Sequence, residues 1–315
     1  MKKTIICYMT FLLVLGINQN LISQNKNIEI TAKRNPDKSV DFLYTKKEPG
    51  SYYVKIEFPT IENSYRLDFE EVVKNNTGRL FKLKPINRDK PINFTYTVVS
   101  IRGNPNPKIN KDFLYVLPFK TGTSVSILES SNLKETYFNA KKDPNWNSFI
   151  VDRKTADTIY NMRKGIVIEV IDEFETDSLD AYKYNSKMNK ILIEHDDGTI
   201  SRYKGFNRNS IFVKPGQTVY PQTKLGALDI FNNYVYRLYF DIYYIKELNF
   251  DLLPKRTLSS EDQSQHLNPY FYSSKGPVTL ENNEEHIVEI DDTTRFMEFT
   301  KREKKLFAKS PETFK

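Results

Sequence analysis

Cysteine is almost absent from this chain, and histidine nearly so. The one cysteine is Cys7, and the three histidines, His195, His266 and His286, all lie in the C-terminal half. A chain so built has no disulfide framework and no thiolate metal cluster, and its histidines are too few and too late for an imidazole-rich centre. Glycine is sparse as well. Eleven Gly against 20 Tyr and 21 Phe favours pleated strands over helices.

Long apolar runs are also missing, with one short exception. Lys2 and Lys3 precede an apolar stretch from Thr4 to Ile17, followed by Ser23 and Gln24. The run falls short of the roughly 20 residues a membrane span requires, and the pattern is that of a secretory signal peptide over 1–23. Cys7 lies inside the leader and not at its cleavage point, so a lipoprotein is not expected. The expectation is a soluble exported protein, periplasmic or extracellular, with no cysteine and no transmembrane span once the leader is removed. The formal charge is +7, and the loss of two lysines leaves +5. Acids and bases are interspersed, which excludes a nucleic-acid footprint.

What is present is alternation. SYYVKIEFP (51–59), FKLKPI (81–86) and INFTYTVVSI (92–101) alternate apolar and polar residues between turn-rich pieces, which predicts an antiparallel β-sandwich over 25–118. A second β-rich region follows over 119–250. Its strands read GIVIEVI (165–171), KILIEH (190–195), TISRYKGF (199–206) and YVYRLYFDIYYI (234–245), and two turns, Lys214-Pro215-Gly216-Gln217 and Tyr220-Pro221-Gln222, frame a short Thr-Val strand. The acidic stretch 172–185 reads as a solvated loop between two strands. Residues 251–275 are polar and linker-like. The extension 276–315 contains one capped amphipathic helix over 291–311, with Phe296, Phe299, Leu306 and Phe307 spaced along one face. The fold class expected is mainly β with a short C-terminal helix.

The second region carries several motifs in order: Gly165-Ile-Val-Ile-Glu-Val; Ile191-Leu-Ile-Glu-His195-Asp-Asp-Gly198-Thr with Tyr203; Val213-Lys-Pro-Gly216-Gln-Thr-Val219 with Leu225-Gly226; and Leu238-Tyr-Phe240-Asp241-Ile242. Over about 117–250 it resembles the lysostaphin-type (LytM) zinc peptidases, which cut peptide cross-links of peptidoglycan. The resemblance implies an antiparallel sheet and one zinc ion held by a His, an Asp and the second His of a His-x-His strand motif, with two further histidines at the reaction centre. Three neutral or anionic donors leave zinc a fourth position for a water whose pKa it lowers to about 7.

In this chain the His-x-His element reads Arg237-Leu238-Tyr239, Ile150 stands where the Asp belongs, and the last family histidine is Gly205. Asp152 lies two places from the Asp position. His195 alone survives, at a position the resemblance assigns to catalysis. His266 and His286 lie outside the matching segments. One imidazole does not hold zinc.

The reading is therefore a degenerate, catalytically vestigial pseudo-peptidase, not an enzyme and without cofactor. It would bind peptidoglycan or an envelope protein such as a wall amidase, through a groove lined by His195, Tyr203, Arg237, Tyr239 and Asp241. One alternative is an active zinc endopeptidase with a displaced site built from Asp152, His195, Asp241 or a linker histidine. Another is an adhesion or docking module acting through the N-terminal sandwich.

Overall fold

The structure, a computed structural model, describes residues 27–65, 68–130, 146–175, 187–232, 235–246 and 264–314. The expected leader (1–23) and most of the acidic loop (176–186) lie outside these residues. The protein is mainly β.

Six strands come first: β1 (Ile28–Arg34), β2 (Val40–Lys46), β3 (Tyr52–Glu62), β4 (Phe69–Val73), β5 (Thr77–Leu83) and β6 (Asn93–Arg102). They form two antiparallel sheets, ordered β1-β2-β5 and β4-β3-β6. Alternation decides what meets between them. Val40, Phe42 and Tyr44 point inward from β2, and Val54, Ile56 and Phe58 from β3, all in one buried cluster. Phe42 lies face to face with Phe81 at 4.6 Å and edge-on to Phe58 at 5.5 Å. Side chains of this size contribute about 1.5–3 kcal/mol each when fully buried.

The second body contains β7 (Leu114–Tyr115), β8 (Ser124–Ser126), β9 (Leu128–Glu129), β10 (Phe149–Arg153), β11 (Thr158–Tyr160), β12 (Gly165–Ile171), β13 (Asn189–Glu194) and β14 (Ile200–Ile211). It continues with β15 (Thr218–Val219), β16 (Lys224–Leu228), β17 (Ile230–Asn232), β18 (Val235–Ile245), β19 (Ser264–His266), β20 (Tyr270–Phe271) and β21 (Glu285–Ile287). Its main sheet runs β15-β12-β13-β14-β18-β10-β9, with β11, β16, β17 and β19 attached beside this path. The pairings are antiparallel except for the parallel β7–β20 pair. Phe113–Phe119 pack into the core of this second body and not into the sandwich.

Two segments differ from their sequence expectation. Residues 264–275, expected as part of a linker, are built into the body: β19 pairs with β18, and β20 with β7. Their polar composition hid this because each strand buries only one residue, His266 and Phe271. The single helix expected over 291–311 is two, α1 (Asp292–Arg295) and α2 (Lys301–Lys309). The break falls where Thr300 restarts the helix. Its hydroxyl accepts the Glu303 N–H and the Glu303 carboxylate accepts the Thr300 N–H, satisfying two donors that a helix start leaves bare. Phe296, Phe299, Phe307 and Phe314 then cluster with Tyr220, while Leu306 points to solvent.

The sandwich and the second body touch through polar contacts. The buried Glu194 carboxylate accepts the Ser51 N–H at 2.7 Å, and Arg102 pairs with Glu169 at 2.9 Å. No helix among the described residues is long and apolar enough to cross a membrane.

Candidate functional site

The strands β13, β14, β18 and β10 lie side by side, and their register decides which side chains share a face. Lys204 stands opposite both Lys190 and Tyr239, and Tyr239 is opposite Ile150. A row Lys190, Lys204, Tyr239, Ile150 thus crosses four strands. The adjoining rows place Arg202 opposite Asp241 and Arg237 opposite Asp152. Directly opposed residues project to the same side. Arg202, Lys204, Arg237, Tyr239, Asp241 and Asp152 therefore form one outer, charged face.

Tyr203 pairs with Phe240 and Ser201 with Ile242, so these residues project to the other side, into the main core. His195 joins them. Its Nδ1–H donates to the Lys164 carbonyl at 2.8 Å, which fixes the neutral tautomer, and its Nε2 accepts the Ser201 hydroxyl at 2.6 Å. Burial, and then the Arg163 charge, push the imidazole pKa down to about 3. Tyr203 is fully buried. Its hydroxyl donates to Asn161 Oδ1 and accepts the Met162 N–H, both at 3.0 Å.

The groove expected from His195, Tyr203, Arg237, Tyr239 and Asp241 is consequently two places and not one. Arg237, Tyr239 and Asp241 share the outer face, whereas His195 and Tyr203 are interior and hydrogen-bonded. The motif order could not reveal this, because a shift of one residue along a strand moves a side chain to the opposite face.

On the outer face, Arg237 Nε and Nη2 meet the Asp152 carboxylate at 2.6 and 2.7 Å. Burial opposes the guanidinium charge, but Asp152 and Tyr239 together outweigh it and raise the Arg237 pKa. Arg237 also lies over the Phe231 ring, 4.1 Å from its centre. Asp241 is buried and held by Arg202 through bonds of 2.7 to 3.1 Å. Zinc does not fit this set. Ile150 offers no donor, Arg237 brings a positive charge, and both carboxylates are already engaged by guanidinium groups. Among the described residues no three His, Cys, Asp or Glu side chains are grouped to hold a metal ion. Gly205, where the resemblance places a further histidine, has φ +105° and would drive a Cβ into the Arg237 carbonyl.

No family model and no curated protein matches this chain. Solved structures with a similar arrangement include a putative M23 peptidase from Pseudomonas aeruginosa, at 13% identity over 60% of this chain and 82% of the other, with a TM-score of 0.28. A zinc-containing peptidase from Vibrio cholerae is also 13% identical, over 69% of this chain and 75% of its own, with a TM-score of 0.26. Likeness this slight carries nothing about the chemistry of the present chain.

His195 also lines a cleft of about 560 Å³, between the sandwich, β12 and α2. Its charged groups are engaged. Lys164 Nζ donates to the Glu298 carbonyl at 2.9 Å and to Glu303 at 2.7 Å, and Glu194 holds Ser51. Behind it, the buried Arg163 binds Glu298, Asp197 and the Tyr115 hydroxyl. Burial opposes its charge, and Tyr115, Glu298 and Asp197 together raise its pKa. No motif pointed to this network. Its only trace in the sequence is the Arg163-Lys164 pair ahead of Gly165, with one acid near and the other far along the chain. Lys204 was missed as well, although it alternates with Tyr203 and so had to share the face of Arg202.

His266, a histidine that a displaced site would call upon, is buried beside Trp146 and Tyr243 and bonds the Asn147 carbonyl through Nδ1 at 3.0 Å. His286, the other, lies opposite Val125.

Proposed function

We propose that this is an exported cell-envelope protein whose peptidase-like second body binds and does not hydrolyse, with peptidoglycan peptide as the ligand and the outer face of β14, β18 and β10 as the place of contact. One observation carries the reading. At the positions where the resemblance puts metal donors, Tyr239 and Ile150 stand opposite each other, and beside them Arg237 and Asp152 neutralise each other across the same two strands. Such a surface offers a flat aromatic ring and guanidinium planes fixed by their acids, suited to stacking on sugar or peptide. Export and location in the envelope rest on the leader read from residues 1–23.

Metal analysis of purified protein and co-sedimentation with purified cell walls test the proposal together. The expected result is zinc far below one per chain, with wall-dependent sedimentation that Tyr239→Ala weakens. Near-stoichiometric zinc with release of wall peptides would overturn it in favour of a hydrolase. Absence of sedimentation would remove the wall as ligand.

A further inference from the structure

Among the described residues, the outer-face cations around Lys204 each contact a carboxylate. Arg202 holds Asp241, Arg237 holds Asp152, and Lys190 Nζ holds Glu169 at 2.7 Å. Lys204 stands in the middle of them. It is half-buried, its Nζ lies 5.4 Å from the centre of the Tyr239 ring, and it makes no hydrogen bond or ion pair among the described residues. Lys190 is directly opposite it on one side, an arrangement of like charges that costs stability. Burial, followed by the neighbouring Arg202 charge, holds the Lys204 ammonium below its ordinary pKa; Asp241 pulls the other way and Lys190 lowers it again. Asp241 is in contact with Arg202, so Arg202 and Lys204 share one acid between two cations. The face has one positive charge left over, a ring wall at Tyr239, and apolar Ile150 next along the row. That combination suits one carboxylate carried on a small aliphatic residue.

We propose that Lys204, walled by Tyr239, is the subsite for the free C-terminal carboxylate of a short peptide. This deepens the wall-binding reading and rests on it for the location of the groove. The neighbouring Asp152 and Asp241 are already paired with Arg237 and Arg202, so their charges repel an incoming anion little. A bulky polyanion is disfavoured because, among the described residues of this face, Lys204 alone lacks a carboxylate in contact.

The test uses the full chain labelled for NMR, titrated with N-acetyl-trialanine and with the C-terminal amide of the same peptide. The expected result is that the acid shifts signals from residues 190, 204 and 239 and binds at least tenfold more tightly than the amide. Lys204→Gln should bring acid and amide to equal weak affinity, while Lys204→Arg keeps the preference. Matching thermal melts and unchanged signals elsewhere establish that the variants are folded. Equal affinity of acid and amide for the wild type, or a preference that survives in Lys204→Gln, overturns the subsite. Sedimentation with purified walls separates the two proposals. Wall binding that persists undiminished in Lys204→Gln removes the subsite and leaves the function standing. A carboxylate preference in a protein that ignores walls keeps the subsite and points to a protein C-terminus as its ligand.

Discussion

Arg237 and Asp152 face each other across β18 and β10 with two parallel hydrogen bonds, Nε to Oδ1 at 2.6 Å and Nη2 to Oδ2 at 2.7 Å. Their side chains are 20% and 31% exposed, so solvent screens the pair only in part. Removing one partner strands the other in a half-buried place. Asp152→Ala should therefore cost about 1–2 kcal/mol, below the 3–5 typical of fully buried pairs. The double variant Asp152→Leu/Arg237→Met should recover most of that loss. Urea midpoints measure both, and an unperturbed single variant would show the contact to be incidental.

His195 gives the fold an acid-sensitive joint. Its imidazole titrates near about 3 when folded and near about 6.5 when unfolded. Between these values the unfolded chain holds a proton that the folded chain does not, so stability rises with pH across that window. Acidification below about 6.5 should weaken the protein by up to about 1.4 kcal/mol per pH unit. Glu303 extends the loss further down. Lys164, the Thr300 N–H and Tyr220 outweigh the effect of burial and bring its pKa from 4.5 to about 2, so its contribution disappears as pH falls through that range. Urea unfolding at pH 7 and pH 5 should differ less for His195→Gln than for the wild type. Parallel changes in the two proteins would assign the acid lability elsewhere.

Tyr203→Phe removes a hydroxyl with two buried partners, the Met162 N–H and Asn161 Oδ1. A cost of about 1–3 kcal/mol is expected from the donor and acceptor left unpaired. Wall sedimentation, by contrast, should be unchanged at a temperature where the variant is folded, because Tyr203 is interior. A selective loss of binding would place it in the ligand surface after all.

Glu194 links the sandwich to the second body by accepting the Ser51 N–H at 2.7 Å. Its only exposure is 7%. Glu194→Ala should cost about 1–3 kcal/mol and speed hydrogen exchange at Ser51 ahead of exchange in the β13–β14 ladder. Exchange that rises equally throughout would instead mean that the two bodies unfold as one unit.

The strands were legible in the sequence because a half-buried sheet writes its period into it: Val54, Ile56 and Phe58, or Leu238, Phe240 and Ile242, announce both strand and buried face. The candidate site was legible only by residue type. Arg237, Tyr239 and Asp241 do share a face, as alternate residues of one strand must. Separating Tyr203 from them required the register between β14 and β18, a tertiary fact that no motif order contains. The Arg163 network is hidden for a similar reason, since its partners Asp197 and Glu298 are 34 and 135 residues away. The α1–α2 break was readable in principle from Thr300 and Glu303, a capping box that the spacing of the phenylalanines overshadowed.

Gly205 bears on how closely two of these strands can lie. With φ at +105° and the Arg237 carbonyl in the space a Cβ would take, this position on β14 admits glycine and little else. Any side chain here would have to push β18 away from β14, so a residue without one sets the spacing at which Lys204 and Tyr239 stand opposite each other.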